Sequence, residues 1–115
     1  NTALGDNAMY YNTTGSNNAA GGYHALHQFS TGNWNTAFGS FALCGTYGSS
    51  TGSYNTAFGG LALKLNTTGD HNTASGYGTL HNNTTASYNT AMGNKFSITL
   101  DYSIFTTTRR PNNVN

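Results

Sequence analysis

The sequence predicts an all-β chain: a parallel β-solenoid, or β-roll, of about five to six 17-residue coils followed by one long C-terminal strand. Three observations carry this expectation. The phrase Asn-Thr-Ala-x-Gly begins at Asn1, Asn18, Asn35, Asn55, Asn72 and Asn89, with spacings of 17, 17, 20, 17 and 17 residues. Asn, Thr and Gly dominate, which disfavours helix, and 17 residues hold no whole number of helical turns. Beyond the last phrase, residues 96–104 alternate apolar with small or polar side chains without a break. Without its period such a composition would read as low-complexity or disordered. A series of antiparallel hairpins is the competing β reading.

Each unit is numbered here from its Asn as position 1. Position 1 is Asn and position 3 is Ala in all six copies; position 2 is Thr in all but Ala19. Position 5 is always Gly, and position 4 varies: Leu4, Gly21, Phe38, Phe58, Ser75, Met92. Positions 8 and 9 read Ala8-Met9, Ala25-Leu26, Ala42-Leu43, Ala62-Leu63 and Thr79-Leu80. Positions 12 to 15 carry the turn-like Asn12-Thr13-Thr14-Gly15 and its counterparts, down to Asn83-Thr84-Thr85-Ala86. The insertion therefore falls near Thr46-Tyr47-Gly48 and should bulge outward as a loop.

Two short extended segments between corners at positions 5 and 15 make one coil, with Gly supplying the positive φ of a tight corner. Coils stacked about 4.8 Å apart place equal positions above one another. Position 1 becomes an Asn ladder with amides bonded from coil to coil. Position 9 becomes a Leu/Met ladder, the centre of the core. Position 3 becomes a flat Ala column suited to close packing. Position 17 becomes a largely aromatic outer ladder: Asn17, Trp34, Tyr54, His71, Tyr88. The core is thin, one Leu or Met, two small residues and the variable fourth position per coil. Ordering each residue costs roughly 1–2 kcal/mol of backbone entropy, so the chain is expected to need other chains.

Three segments follow: a repeat domain over 1–95, a strand over 96–105 and a tail over 106–115. In the strand Phe96, Ile98, Leu100, Tyr102 and Ile104 share one apolar face. Such an edge either caps the last coil of its own chain or joins subunits head to tail by strand addition. The tail should leave the sheet, since Pro111 cannot continue a ladder.

Four Lys and Arg face three Asp, and residues 1–95 balance Lys64 and Lys95 against Asp6 and Asp70. A near-neutral surface favours association. It argues against nucleic acid, which needs a basic face. No run of about 18 apolar residues suits a membrane span. Cys44 is the only cysteine, so no intrachain disulfide forms. The chain opens in mid-phrase at Asn1 without an initiator Met or signal peptide, as a processed or excerpted segment would.

Asn-Thr-Ala-Leu-Gly, then Ala-Met, then Asn-Thr-Thr-Gly resembles a 17-residue repeat of tail-fibre-like and adhesin-like surface proteins. It is similar in style to the β-roll heads of trimeric autotransporter adhesins, whose repeats are somewhat shorter. The resemblance covers residues 1 to about 95. It implies a parallel β-roll, often trimeric, at a cell or particle surface, with a structural or attachment role and no catalysis.

Chemistry-bearing residues are sparse. No two of the Asp residues are placed by the register for acid–base work, so no enzyme, cofactor or metal is expected. His24 and His27, three apart in an extended strand, should point to opposite sides. Asn12, Asn66, Asn82 and Asn83 head Asn-x-Ser/Thr sequons, readable as glycosylation sites or simply as turn chemistry. Trp34, Tyr54 and Tyr88 either stack on sugar rings or pack against a neighbouring chain. Thr columns bring ice binding to mind, but Thr13 and Thr14 are adjacent, without the one-residue gap that presents two columns on one face. The reading is an extracellular, non-enzymatic structural subunit partnered with itself, as filament or trimer. A glycan- or ice-binding module is the alternative.

Overall fold

The computed structural model describes residues 1–47 and 50–94, together with the backbone of Thr107–Thr108. Each repeat contributes one three-residue strand: β1 (Thr2–Leu4), β2 (Ala19–Gly21), β3 (Thr36–Phe38), β4 (Thr56–Phe58), β5 (Thr73–Ser75) and β6 (Thr90–Met92). They pair in parallel in sequence order within one sheet, and no helix occurs among the described residues. Equal positions meet equal positions, Ala20 with Ala37, Ala57 with Ala74, Ala74 with Ala91. The register survives the insertion, since Thr36, Ala37 and Phe38 still pair with Thr56, Ala57 and Phe58. The solenoid is as expected, and parallel pairing throughout excludes the hairpin alternative.

A short β7 (Thr107–Thr108) extends the sheet beside Ala91 and Met92. The tail therefore does not leave the sheet at these two residues. Pro111 follows them in the sequence, outside the described residues. The expected strand over 96–105 lies outside the described residues.

The expected second extended segment is replaced by turns. The N–H of position 8 donates to the carbonyl of position 5 in every complete coil, as in Ala25 to Gly22 at 3.2 Å. In the first, second, fourth and fifth coils the N–H of position 12 donates to position 9, as in Asn66 to Leu63 at 3.0 Å. Between coils the backbone bonds alternate in direction. Positions 5 and 7 donate to the preceding coil (Gly39 to Gly21, 2.8 Å; Phe41 to Tyr23, 2.8 Å), while positions 2 and 9 donate to the following one (Thr36 to Asn55, 2.8 Å; Leu43 to Ala62, 2.8 Å).

This alternation rests on left-handed backbone at positions 7, 9 and 17, almost all occupied by residues other than Gly. Fourteen such residues occur among the described residues, including Leu26, Leu43, Leu63 and Leu80 with φ of 47–53°. Each costs of order 1–3 kcal/mol and persists only where surroundings enforce it. Here the buried Leu side chain and the inter-coil bond of its own N–H enforce it. Gly at position 5 meets the corner expectation, with φ between 122° and 139°. Gly at position 15 does not. Gly15, Gly32, Gly52 and Gly69 are not left-handed, and Gly is required there for space. A Cβ at any of them would enter the backbone carbonyl of the same position in the next coil.

The core is the stack of positions 3, 8 and 9: Ala37, Ala57, Ala42, Ala62, Leu43 and Leu63 are all fully buried. Position 4 is a correction. Leu4, Phe38, Phe58 and Met92 point outward, because the strand alternation that buries position 3 turns 2 and 4 to the surface.

The Asn ladder is present as expected, with amide-to-amide bonds between coils at Asn55 to Asn35 (3.2 Å) and Asn89 to Asn72 (3.1 Å), and bonds to the backbone reinforce it. Each amide oxygen accepts the backbone N–H of the next Asn (Asn35 to Asn18, 2.8 Å; Asn72 to Asn55, 2.9 Å). The amide nitrogens of Asn1, Asn18, Asn35, Asn55 and Asn72 each donate to the position-15 carbonyl of their own unit (Asn18 to Gly32, 2.8 Å; Asn55 to Gly69, 2.8 Å). Pairing begins only at position 2, which leaves the position-1 N–H for the side chain to satisfy. A buried polar group left unpaired costs roughly 1–3 kcal/mol. On the last described rung Asn89 Oδ1 is buried and has no hydrogen-bond partner among the described residues.

Candidate functional site

With positions 1, 3, 5, 8, 9 and 15 consumed inside the stack, the outer columns are what remains for recognition. Alternation from position 17 to position 4 buries 1 and 3 and turns 17, 2 and 4 out together. The result is one face of three columns. The first is Trp34, Tyr54, His71 and Tyr88; the second is Thr36, Thr56, Thr73 and Thr90; the third includes Phe38, Phe58 and Met92. Trp34, Tyr54, Phe58 and Tyr88 are each about half exposed, at 56%, 52%, 47% and 57%.

Ring geometry decides what this face can do. Tyr54 stacks on His71 at 4.7 Å and His71 on Tyr88 at 4.8 Å, within 3° and 4° of parallel. Phe38 and Phe58 stack at 5.7 Å, and the Phe38 ring also lies over Gly21, where a Cβ would strike it. Rings stacked along the solenoid axis cover each other's faces and present edges to solvent. A sugar stacks on a ring face, so the inner rungs of this column offer it no platform. Backbone bonds from the column's N–H groups to the coil below (Tyr54 to Asn33, 2.9 Å; His71 to Ser53, 3.0 Å) hold the rings in step.

A second ladder runs beside it at position 16, where sequence reasoning looked for nothing. The N–H of Ser16 donates to Asn33 Oδ1 (2.8 Å), Asn33 to Ser53 Oγ (3.0 Å), Ser53 to Asp70 Oδ1 (2.7 Å) and Asp70 to Ser87 Oγ (2.8 Å). The available signal was a short oxygen-bearing side chain at that place in every unit.

His24 and His27 do not point to opposite sides. Their rings stack at 4.1 Å and 13°, because His24 and Leu26 are left-handed and the segment is not a strand. Tyr23 and Tyr10 extend the cluster, and Asn7 meets His24 Nε2 at 3.3 Å. Burial, then repulsion from His24, pushes the His27 imidazole below its ordinary range. Parallel rings send their in-plane lone pairs alongside one another rather than to a common point. No group of three metal-ligating side chains occurs among the described residues.

Asn66 and Asn83 are fully buried. Asn83 donates to Asn66 Oδ1 at 2.8 Å, and each also donates to the position-15 carbonyl three residues on. An amide held this way is not open to a glycan in the folded chain, so the turn reading of these sequons accounts for them. Asn12 is half-buried and donates to the Phe29 carbonyl at 3.3 Å, and Asn82 is exposed with His81 Nδ1 at 2.9 Å from its Oδ1. Burial raises the Cys44 thiol, with Lys64 partly opposing, so it packs as a neutral group. As expected, the insertion bulges outward at Tyr47, which is 86% exposed.

The Phe96, Ile98, Leu100, Tyr102 and Ile104 face lies outside the described residues. Comparison with family models, curated protein sequences and solved structures gives no match for this chain.

Proposed function

We propose that the chain is a non-enzymatic structural subunit of an extracellular fibre or adhesin-like surface appendage, built by stacking solenoid coils and associating with copies of itself. One observation carries this reading. Apart from the Thr at position 2, every residue the repeat holds constant is used to join one coil to the next: Asn at position 1 bonds upward, Ala at 3 and Leu at 9 fill the core, and Gly at 5 leaves room for the neighbouring backbone. The outward positions that flank this Thr column change chemistry from unit to unit, as Phe58, Ser75 and Met92 do in successive strands. A repeat kept for a periodic ligand would hold its outer residues constant instead. The near-neutral repeat surface adds support, since little charge opposes association.

Negative-stain electron microscopy of the purified full chain tests this. Rods or fibres support it; dispersed single particles at every concentration overturn it. The alternative, a module binding glycan or ice through a surface column, draws support from the exposed rings and the Thr column. Retention on an immobilised uncharged polysaccharide, lost on Trp34→Ala, would favour that alternative.

A further inference from the structure

The face formed by positions 17, 2 and 4 is shaped as two ridges and a valley. One ridge is the stack Tyr54, His71, Tyr88; the other is carried by Phe38 and Phe58; the Thr side chains between them are shorter and lie partly buried. Four residues of extended chain separate the ridges, about 13 Å. No Lys, Arg, Asp or Glu stands in any of the three columns.

We infer that this face is the contact between two copies of the chain, packed sheet to sheet with a ring ridge of each seated in the Thr valley of the other. This rests on the reading above that the chain associates with itself, and it names the surface.

Three arguments select a second copy as the occupant. The first is commensurability. Rings repeating at 4.7 and 4.8 Å along the axis interlock without gaps only against a surface of the same period, and another copy has it. Dry interdigitation of in-step side chains is how paired sheets pack in cross-β assemblies. The second is charge. An uncharged face meets its own duplicate without repulsion, whereas a basic or acidic partner finds nothing to pair with. The third is area. An aromatic side chain buries about 150–250 Å², so five half-exposed rings with Leu4 and Met92 offer roughly 700 Å² per copy. Two copies would bury about 1,400 Å², within the usual range of stable interfaces.

Analytical ultracentrifugation of the full chain at about 100 µM tests the inference, with far-UV circular dichroism and the thermal midpoint as fold controls. Two variants attack the face differently. Phe58→Glu places a charge on a ridge. Thr73→Arg leaves every ring in place and fills the valley. Tyr23→Glu, an exposed ring outside the face, is the control. The expected result is association in wild type and in Tyr23→Glu, and monomer mass in both face variants with an unchanged spectrum. Association that survives both variants overturns the face while leaving the self-association reading intact. A monomeric wild type overturns both. A monomer retarded by hydroxyethyl cellulose, with that retardation lost in Tyr54→Ala, overturns them in favour of sugar. Should Phe58→Glu unfold, Thr73→Arg alone decides.

Discussion

The corner at position 12 is built in two ways in one molecule. In the fourth and fifth coils Asn66 and Asn83 fill it, bonded to each other at 2.8 Å and to the carbonyls of Gly69 and Ala86. In the second coil the same place holds Phe29, fully buried, with its ring against Gly32 and reaching up to Gly45 and Ser50 of the third. The third coil carries the three-residue insertion at that level, and Ser50 makes the bridge to Phe29. The insertion lies at the level of that ring, and Ser50 turns its hydroxyl toward Thr46. A solenoid corner thus tolerates either a polar rung or an apolar plug, and here the plug sits beneath the one coil with an insertion.

The largest effect should come from removing the plug. Phe29→Ala empties a fully buried site and should cost about 3–5 kcal/mol, read as a lower denaturant midpoint at constant m-value. Asn66→Ala should cost less, about 1–3 kcal/mol, since the Gly69 carbonyl keeps its bond from Asn55 and Asn83 keeps Ala86. Equal losses in the two variants would erase the distinction between the corners.

The link between ring and insertion predicts non-additivity. Deleting residues 46–48 should destabilise the chain while Phe29 remains. Combined with Phe29→Asn, which restores the rung, the deletion should recover about 1–3 kcal/mol relative to the sum of the single changes. Additive losses would mean that the insertion is unrelated to the ring.

The smallest effect concerns the histidine stack beside the plugged corner. Burial and His24 hold the His27 imidazole below its unfolded value. The unfolded chain therefore takes up the proton first, and stability rises with pH through that window. The contribution is complete above the ordinary histidine range of about 6.5 and is lost as pH falls from there through the lower folded value. The thermal midpoint should drop slightly between about pH 7.5 and pH 5, and less in His27→Gln. An unchanged or rising midpoint in acid would contradict it.

What was legible in the sequence is what identical stacking forces on every unit. Asn at 1, Ala at 3, Gly at 5 and Leu at 9 recur because each meets its own copy above and below. The left-handed backbone at Leu63, His71 or Tyr88 was not legible, since nothing in those residue types announces positive φ. That omission produced two wrong readings. It placed His24 and His27 on opposite sides, and it laid an extended segment where two turns run. Position 4 was misread because a Phe inside an apolar phrase resembles core until the three-residue strand fixes which neighbour points inward. The candidate face was half legible: its ring column was seen, but not its Thr valley or its edge-on rings. Gly at position 15 was recognised for the wrong reason, steric room being invisible without the coil above.

The bonds that join one coil to the next lie along the solenoid axis, which bears on how the molecule yields to force. Pulled from its two ends, the chain cannot load all these rungs at once. Tension falls on the outermost coil, whose rungs open in turn while those beneath stay closed. Each 17-residue coil then pays out about 55–60 Å of extended chain while shortening the folded rod by only about 5 Å. The 20-residue third unit releases about 10 Å more, which would mark its place in a force–extension trace. Such a rod is a sequential shock absorber. It gives way one coil at a time, lengthening more than tenfold at each step, while the coils still stacked keep their form.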